Sequence, residues 1–380
     1  MTRDGRIQLV ILLLVLAAAI LWPSAAMFYT DWLWFQELGY PAVFSISLTT
    51  RLGLGSSAAL LTFVWLFLNF RIALRQFAEP YLVLGVSPAD GSPIVVQRRG
   101  VTRLVSIVPV VVAAGVGLVA SNHWMEWLKF LHATPFGETD PIFGRDIADF
   151  VFRLPWLSFV RGLAMVVVVL SLAGAVAIYL LPGREFTTRR GGPFVAPGPA
   201  RQHLSLLAAL VLLLLGAGAW LDTLSLAVSP EGIIQGAKYS DVTIRLPALN
   251  VLAAMSVVGA LLAVANVFVR RPWLLLGAFG LYAVTWMGGE AAATAVQRLV
   301  VTPNEQVKET PYISYNIAFT RKAYDLDTIQ ERGLSGDATL TRADIANNAA
   351  TMENVRLWDH QPLLDTFGQI QEIRTYYDFT

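Results

Sequence analysis

Cysteine is absent from the chain, which removes disulfides, thiolate metal sites, cysteine nucleophiles and S-acylation together. Charge is scarce too. Only 14% of the 380 residues are Asp, Glu, Lys or Arg, against about 25% in ordinary soluble domains. The charges also nearly cancel, 28 basic against 27 acidic, so no net field attracts nucleic acid or an acidic substrate. What fills the chain instead is apolar: 55% hydrophobic residues and a mean hydropathy of +0.56. Such a composition reads as a polytopic membrane protein whose first partner is the lipid bilayer.

A helix crossing a ~30 Å hydrocarbon core needs about 20 mainly apolar residues, because each adds ~1.5 Å and bonds its own backbone. Seven stretches satisfy this: Ile7 to Tyr29, Leu52 to Phe70, Leu104 to Ser121, Leu157 to Leu181, Leu204 to Leu226, Leu249 to Val269 and Trp273 to Val296. The first has a second reading as a secretory signal, since Arg3 and Arg6 precede the apolar run and Ser24-Ala25-Ala26 resembles a cleavage site. No internal repeat is convincing.

Arginine placement sets the orientation. With the N-terminus inside, inner segments hold Arg3 and Arg6, then Arg71, Arg75, Arg98, Arg99 and Arg103, then Arg184, Arg189, Arg190 and Arg201, then Arg270 and Arg271. Outer loops carry the acids Asp31, Glu37, Glu126, Glu138, Asp140, Asp146, Asp149, Asp222, Glu231 and Asp241. An odd number of spans places the residues after Val301 outside the cytoplasmic membrane. The inner loops, rich in Gly and Pro, suit short hairpins or irregular turns. In the outer loops, Trp124, Trp127, Leu128 and Leu131 fall at helical spacing and suit a short helix lying in the interface. Leu154-Pro155 suggests an extended approach to the fourth span.

Ionisable groups within a bilayer are costly and mark function when present. Arg51, Asp222 and Arg298 lie near span ends, where their charges can reach water. Asn69 and Asn266 suit hydrogen bonds between helices. Glu290 follows Gly288-Gly289 inside the seventh span and is the one candidate for an intramembrane functional acid. Either the glycines break that helix and open a cavity, or the helix ends early and leaves Glu290 among headgroups. Asp140, Asp146 and Asp149 match no calcium-loop spacing and are mixed with arginines, so ion pairs explain them better than a cation site. His360 beside Asp359 has no placed nucleophile. No catalytic, cofactor-binding or metal site is expected.

The chain changes character near Thr302. "PYISYNIAFTRKAY" begins with strand-like alternation and then turns helical. Thr341 with Asp344 forms a capping-box variant that predicts a helix from Arg342 to about Asn354. Asp359 and Pro362 open another, with Leu363, Leu364, Phe367, Ile370 and Ile373 on one face. The expected organisation is therefore a transmembrane helical domain over 1–300 and the start of a mixed α/β extracytoplasmic domain over 301–380. That tail is too small for a sizeable core of its own.

Four segments carry a resemblance: "DWLWFQELGY" (Asp31 to Tyr40), "DPIFGRDIADFVFRLPW" (Asp140 to Trp156), "PNEQVKETPYISYNIAFTRKAY" (Pro303 to Tyr324) and "NVRLWDHQPLLDTFGQIQEIRTYYDF" (Asn354 to Phe379). In these the sequence resembles uncharacterised protein family 0182, large bacterial membrane proteins. The resemblance implies seven spans followed by a long outer region, of which this chain would hold the beginning, and it implies no reaction, cofactor or catalytic residue. The leading functional expectation is a non-enzymatic anchor for an outer domain that contacts an envelope protein or a second copy. A transporter component using Glu290, and an envelope enzyme with its site outside this chain, are the alternatives.

Overall fold

A computed structural model describes residues 22–75, 81–86, 93–180, 198–230, 235–333, 339–356 and 359–371. Most of the first expected span and the second basic loop, 181–197, lie outside the described residues. From residue 22 the chain is a helix to residue 37, here α1, and Ser24 to Ala26 are part of it. Gly39, at φ +75°, turns the chain into α2, Pro41–Leu74. A β-hairpin follows, β1 Tyr81–Val86 against β2 Pro93–Gln97, with a bulge between Val83 and Gly85. Such a short element is what the inner-loop composition suggested.

The remaining long helices are α3 Arg98–Asn122, α5 Leu154–Leu180, α6 Gly198–Ser225, α7 Leu246–Val269 and α8 Trp273–Val296. The short α4, Trp124–Leu131, sits where the aromatic spacing placed it. α6 is the centre: 56% of its most apolar stretch is buried, against 28–33% in the other candidate spans. The outward faces stay apolar, as Leu61, Leu118 and Leu261 show at 63–71% exposed. That pattern suits a hydrocarbon solvent.

Helices in lipid gain little from the hydrophobic effect and associate by close packing of small residues. The contacts follow this rule. A Cβ added to Gly117 of α3 would meet the Gly55 carbonyl of α2 at 2.7 Å, and one on Gly216 of α6 would meet the Ser256 Cβ of α7 at 2.8 Å. At the end of the bundle nearest the hairpin, Leu66, Phe70, Ala175, Ile178 and Leu207 form one apolar cluster. Within it His203 ties three helices together: its Nε2 meets Asn69 Oδ1 at 2.9 Å, and Tyr179 Oη lies 2.9 Å from its Nδ1. Asn69 donates to the Trp65 carbonyl, so its oxygen accepts and the His203 Nε2–H donates. Asn266 donates to Ser205 Oγ at 2.9 Å, the second of the expected interhelical bonds.

Two expectations are corrected. Among the described residues five helical segments are long and apolar enough to cross a membrane: Pro41–Leu74, Arg99–Asn122, Asp149–Leu180, Gly198–Val228 and Asp241–Val269; of the seven expected, the first lies mostly outside the described residues and α8 falls short. α8 has the length, but its aromatics, glycines and Glu290 dilute its apolar character. The tail is not mixed α/β either. Its described residues form α9 Glu305–Ala323, α10 Arg342–Asn347, α11 Ala349–Asn354 and α12 His360–Gln371, with no strand among them. The alternation of Ile313, Tyr315, Ile317 and Phe319 misled because a helical face, Tyr312, Asn316 and Phe319, runs through the same residues. The chain divides into two compact units, Met1–Thr320 and Arg321–Thr380. In the second, nearly every described residue is exposed.

Candidate functional site

Polar chemistry collects at the end of the bundle where α9 begins. Asp140, Asp146 and Asp149, weighed above as cation ligands, are consumed by structure. Asp140 accepts from the backbone N–H of Ile142 and Phe143, both at 2.8 Å, and Asp149 pairs with Arg153 at 2.8 Å and Arg145 at 3.4 Å. Backbone N–H groups of Ala148, Phe136 and Gly137 hold the Asp146 carboxyl below the usual carboxylate range. No group of three or more His, Cys, Asp or Glu among the described residues is placed to hold a metal.

The same arrangement occurs twice. Gly144, Asp149, Arg153, Leu154, Pro155 and Leu157 have counterparts ninety-two residues on (241 − 149) in Gly236, Asp241, Arg245, Leu246, Pro247 and Leu249. Both glycines have positive φ, +63° and +120°. Each Asp opens a π-helical turn, Asp149–Arg153 or Asp241–Arg245, that runs straight into α5 or α7. In each the Asp binds the Arg four residues later, at 2.8 and 3.1 Å. The extended approach expected at Leu154-Pro155 is therefore absent, because the π-turn carries the chain as helix straight through the proline. α5 and α7 run the same way, so the repeat is parallel.

The second copy is the more elaborate. Asp241 is only 1% exposed, and Arg245 reaches past it to Glu290 Oε2 of α8 at 3.1 Å. Ser240 donates to Gln297 Oε1 at 2.6 Å, just beyond α8. The Tyr239 N–H donates to Glu309 of α9 at 3.1 Å, and Lys308 lies 4.9 Å from the centre of the Tyr239 ring. Glu309 is 4% exposed, and that burial pushes its carboxyl above the usual range against the opposing Tyr239 N–H. Residues 238–245 thus stitch α7, α8 and the start of α9 into one unit.

Two hollows border this stitching. One, of about 260 Å³, lies between the loops of the two repeats and is walled on a third side by Tyr312, Tyr315, Asn316 and Phe319 of α9. The other, about 610 Å³, brings together Asp222, Arg245, Tyr282, Trp286 and Glu290 between α6, α7 and α8. Glu290 is accordingly an ion-paired wall residue with its side chain 41% exposed. α8 continues unbroken through Gly288 and Gly289, and Gly289 serves close packing: a Cβ there would meet that of Ala248 at 2.9 Å.

The family's sequence profile matches residues 8–380. The chain belongs to the uncharacterised protein family UPF0182. A UPF0182 protein of Geobacter sulfurreducens is 34% identical over 378 residues, covering 97% of this chain and 42% of the relative. One of Pelotomaculum thermopropionicum is 35% identical over 370 residues, 94% of this chain and 40% of the relative, and one of Sulfurovum sp. is 33% identical over 357, at 93% and 38%. The chain therefore spans about two fifths of the length of these curated relatives. No solved structure matches it.

Within this UPF0182 chain, sequence reasoning passed over Arg161. It lies inside a candidate span and donates from Nε to the Leu214 carbonyl of α6 at 2.9 Å. Gly218 opposite leaves room for the guanidinium. An arginine within an apolar run, facing a run that carries Gly216 and Gly218, was the available signal. His360 and Asp359 lie 3.4 Å apart with side chains 65% and 67% exposed, a surface pair.

Proposed function

We propose that the protein is an integral cytoplasmic-membrane anchor that holds an extracytoplasmic interaction region, with the hairpin end inside and the α9 end outside. The observation that carries this reading is the buried Glu309 bonded to Tyr239, together with Ser240 on Gln297. Through these contacts α9 continues the bundle as a fixed platform. Charge supports the orientation: Arg71 and Arg75 end α2, Arg99 and Arg103 begin α3, Arg201 begins α6, and Arg270 and Arg271 end α7. The exposed tail, with Leu363, Phe367 and Ile370 at 41%, 42% and 71%, is the surface offered to an envelope protein or a second copy.

The cysteine-free chain suits a direct test. Single cysteines replace Ser87, between the hairpin strands, and Thr320 on α9, and intact cells are treated with a membrane-impermeant maleimide. Labelling at Thr320→Cys alone supports the reading, and labelling at Ser87→Cys alone sinks it.

A second reading, a transporter component, is favoured by the mixed-charge hollow around Asp222, Arg245 and Glu290 and by the parallel repeat, since transporters are often built from repeats with sites where they meet. It requires Glu290→Gln or Asp222→Asn to abolish movement of a solute. An anchor tolerates both.

A further inference from the structure

The anchor reading leaves unexplained an apolar groove of about 450 Å³ between α2 and α5, floored by Leu210 and Leu214 of α6. Among the described residues its walls are apolar apart from the hydroxyls of Ser57 and Thr62 and the indole N–H groups of Trp65 and Trp156. It closes toward the hairpin end, where Phe70 lies against Gly174. At the other end its walls finish in Leu54, Trp156 and Phe159. Leu61 and Val160, at 71% and 42% exposed, mark an open side facing the surroundings of the bundle.

One turn along α2 from Leu54 stands Arg51. Its guanidinium lies 5.0 Å from the centre of the Trp124 ring of α4, and no acidic side chain among the described residues pairs with it. α4 also binds the groove wall: Trp127 packs on Trp156 at 4.9 Å, and His123 on Phe159 at 3.8 Å. Glu126 of α4 lies 3.7 Å from His123 Nδ1, beyond hydrogen-bond reach, and its buried Oε2 accepts no hydrogen bond among the described residues. Arg51 is twenty residues before Arg71 on the same helix. That separation is about 30 Å, the thickness of a hydrocarbon core, so the two arginines stand at its two faces.

We propose that this groove binds one phospholipid, with an acyl chain between α2 and α5 and the phosphate on Arg51. The inference rests on the membrane-spanning reading. An acyl chain fits walls that are largely apolar, a cation without an acid partner fits the phosphate, and the tryptophans of α4 and α5 sit at the depth where indole rings favour the boundary. The site lies at the level of the leaflet on the α9 side. It would hold α4 and the start of α2 in place through a bound lipid.

The test is native mass spectrometry of the full chain, purified from the membrane fraction, delipidated in detergent and titrated with dioleoyl phosphatidylglycerol. One saturable lipid adduct is expected. Arg51→Gln should weaken it about tenfold, the worth of one charge-assisted contact, whereas Arg75→Gln at the opposite end should not. Ala164→Trp fills the groove and should abolish the adduct with the circular dichroism spectrum unchanged. Equal adducts in wild type and Arg51→Gln, or non-saturating statistical loading, overturn the proposal. A dimer that forms without lipid and is broken by Ala164→Trp also overturns it, since the occupant would then be a second copy. A chain absent from the membrane fraction would instead refute the membrane reading beneath it.

Discussion

Glu309 is the residue on which most depends. It brings a carboxylate into a place 4% exposed and accepts the Tyr239 N–H there. Replacing it by alanine should loosen α9 by about 1–3 kcal/mol, the cost of stranding a buried donor, seen as faster hydrogen exchange along α9 with the bundle unaffected. The pH dependence follows from the sign of its shift. A carboxyl raised by burial binds its proton more tightly in the docked state, so docking gains stability as pH falls and loses it as pH rises through the raised value. Exchange in α9, corrected for intrinsic rates, should slow on acidification, and Glu309→Gln should remove that dependence. At the other end, His203→Phe should cost about 1–3 kcal/mol by leaving the Asn69 oxygen without its donor, with His203→Gln restoring part of the loss in thermal melts. Neither role was legible in sequence. Glu309 belongs to a polar segment with no visible partner, and His203 is a lone histidine whose partners lie far away along the chain.

Elements were read better where one chemical signal determined them. The short helix α4 followed from tryptophan and leucine spacing. The Thr341–Asp344 capping box is present with both its bonds, and Thr341→Ala should cost α10 about 0.5–2 kcal/mol of helix stability. The helix it starts breaks at Asn348, and α11 follows as a separate piece. α9 was misread because period two and period 3.6 coincide over a stretch rich in aromatics. The Asp-x-x-x-Arg-Leu-Pro repeat was present in the sequence but is too short to stand out until both copies are seen making the same π-turn and ion pair. Glycine packing is testable at this scale. Gly117→Ala should destabilise the α2–α3 contact by about 1–3 kcal/mol through overpacking, since its Cβ would strike the Gly55 carbonyl, whereas Gly115→Ala meets nothing within 4 Å and should be tolerated. Thermal unfolding in detergent separates the two.

For the whole molecule, the helical membrane character was legible because composition alone forces it. The seventh expected span was not, because α8 lies at the margin of the apolar character needed and Glu290 toward its end is held by Arg245. What organises the molecule is the gathering of two repeat loops, the end of α8 and the start of α9 at one end of the bundle. This arrangement holds the start of α9 against the bundle through Glu309 and Tyr239. The decisive measurement is a spin-label distance in the cysteine-free chain, reconstituted in nanodiscs, between labels at Thr243 beside the second repeat and Ser314 on α9. Both positions are exposed, and their hydroxyls bond only locally, to Tyr239 and Thr310. A single narrow distance distribution that broadens in Glu309→Ala is the predicted result. A broad distribution in the unaltered background would show α9 to be a loose tether and would contradict the platform.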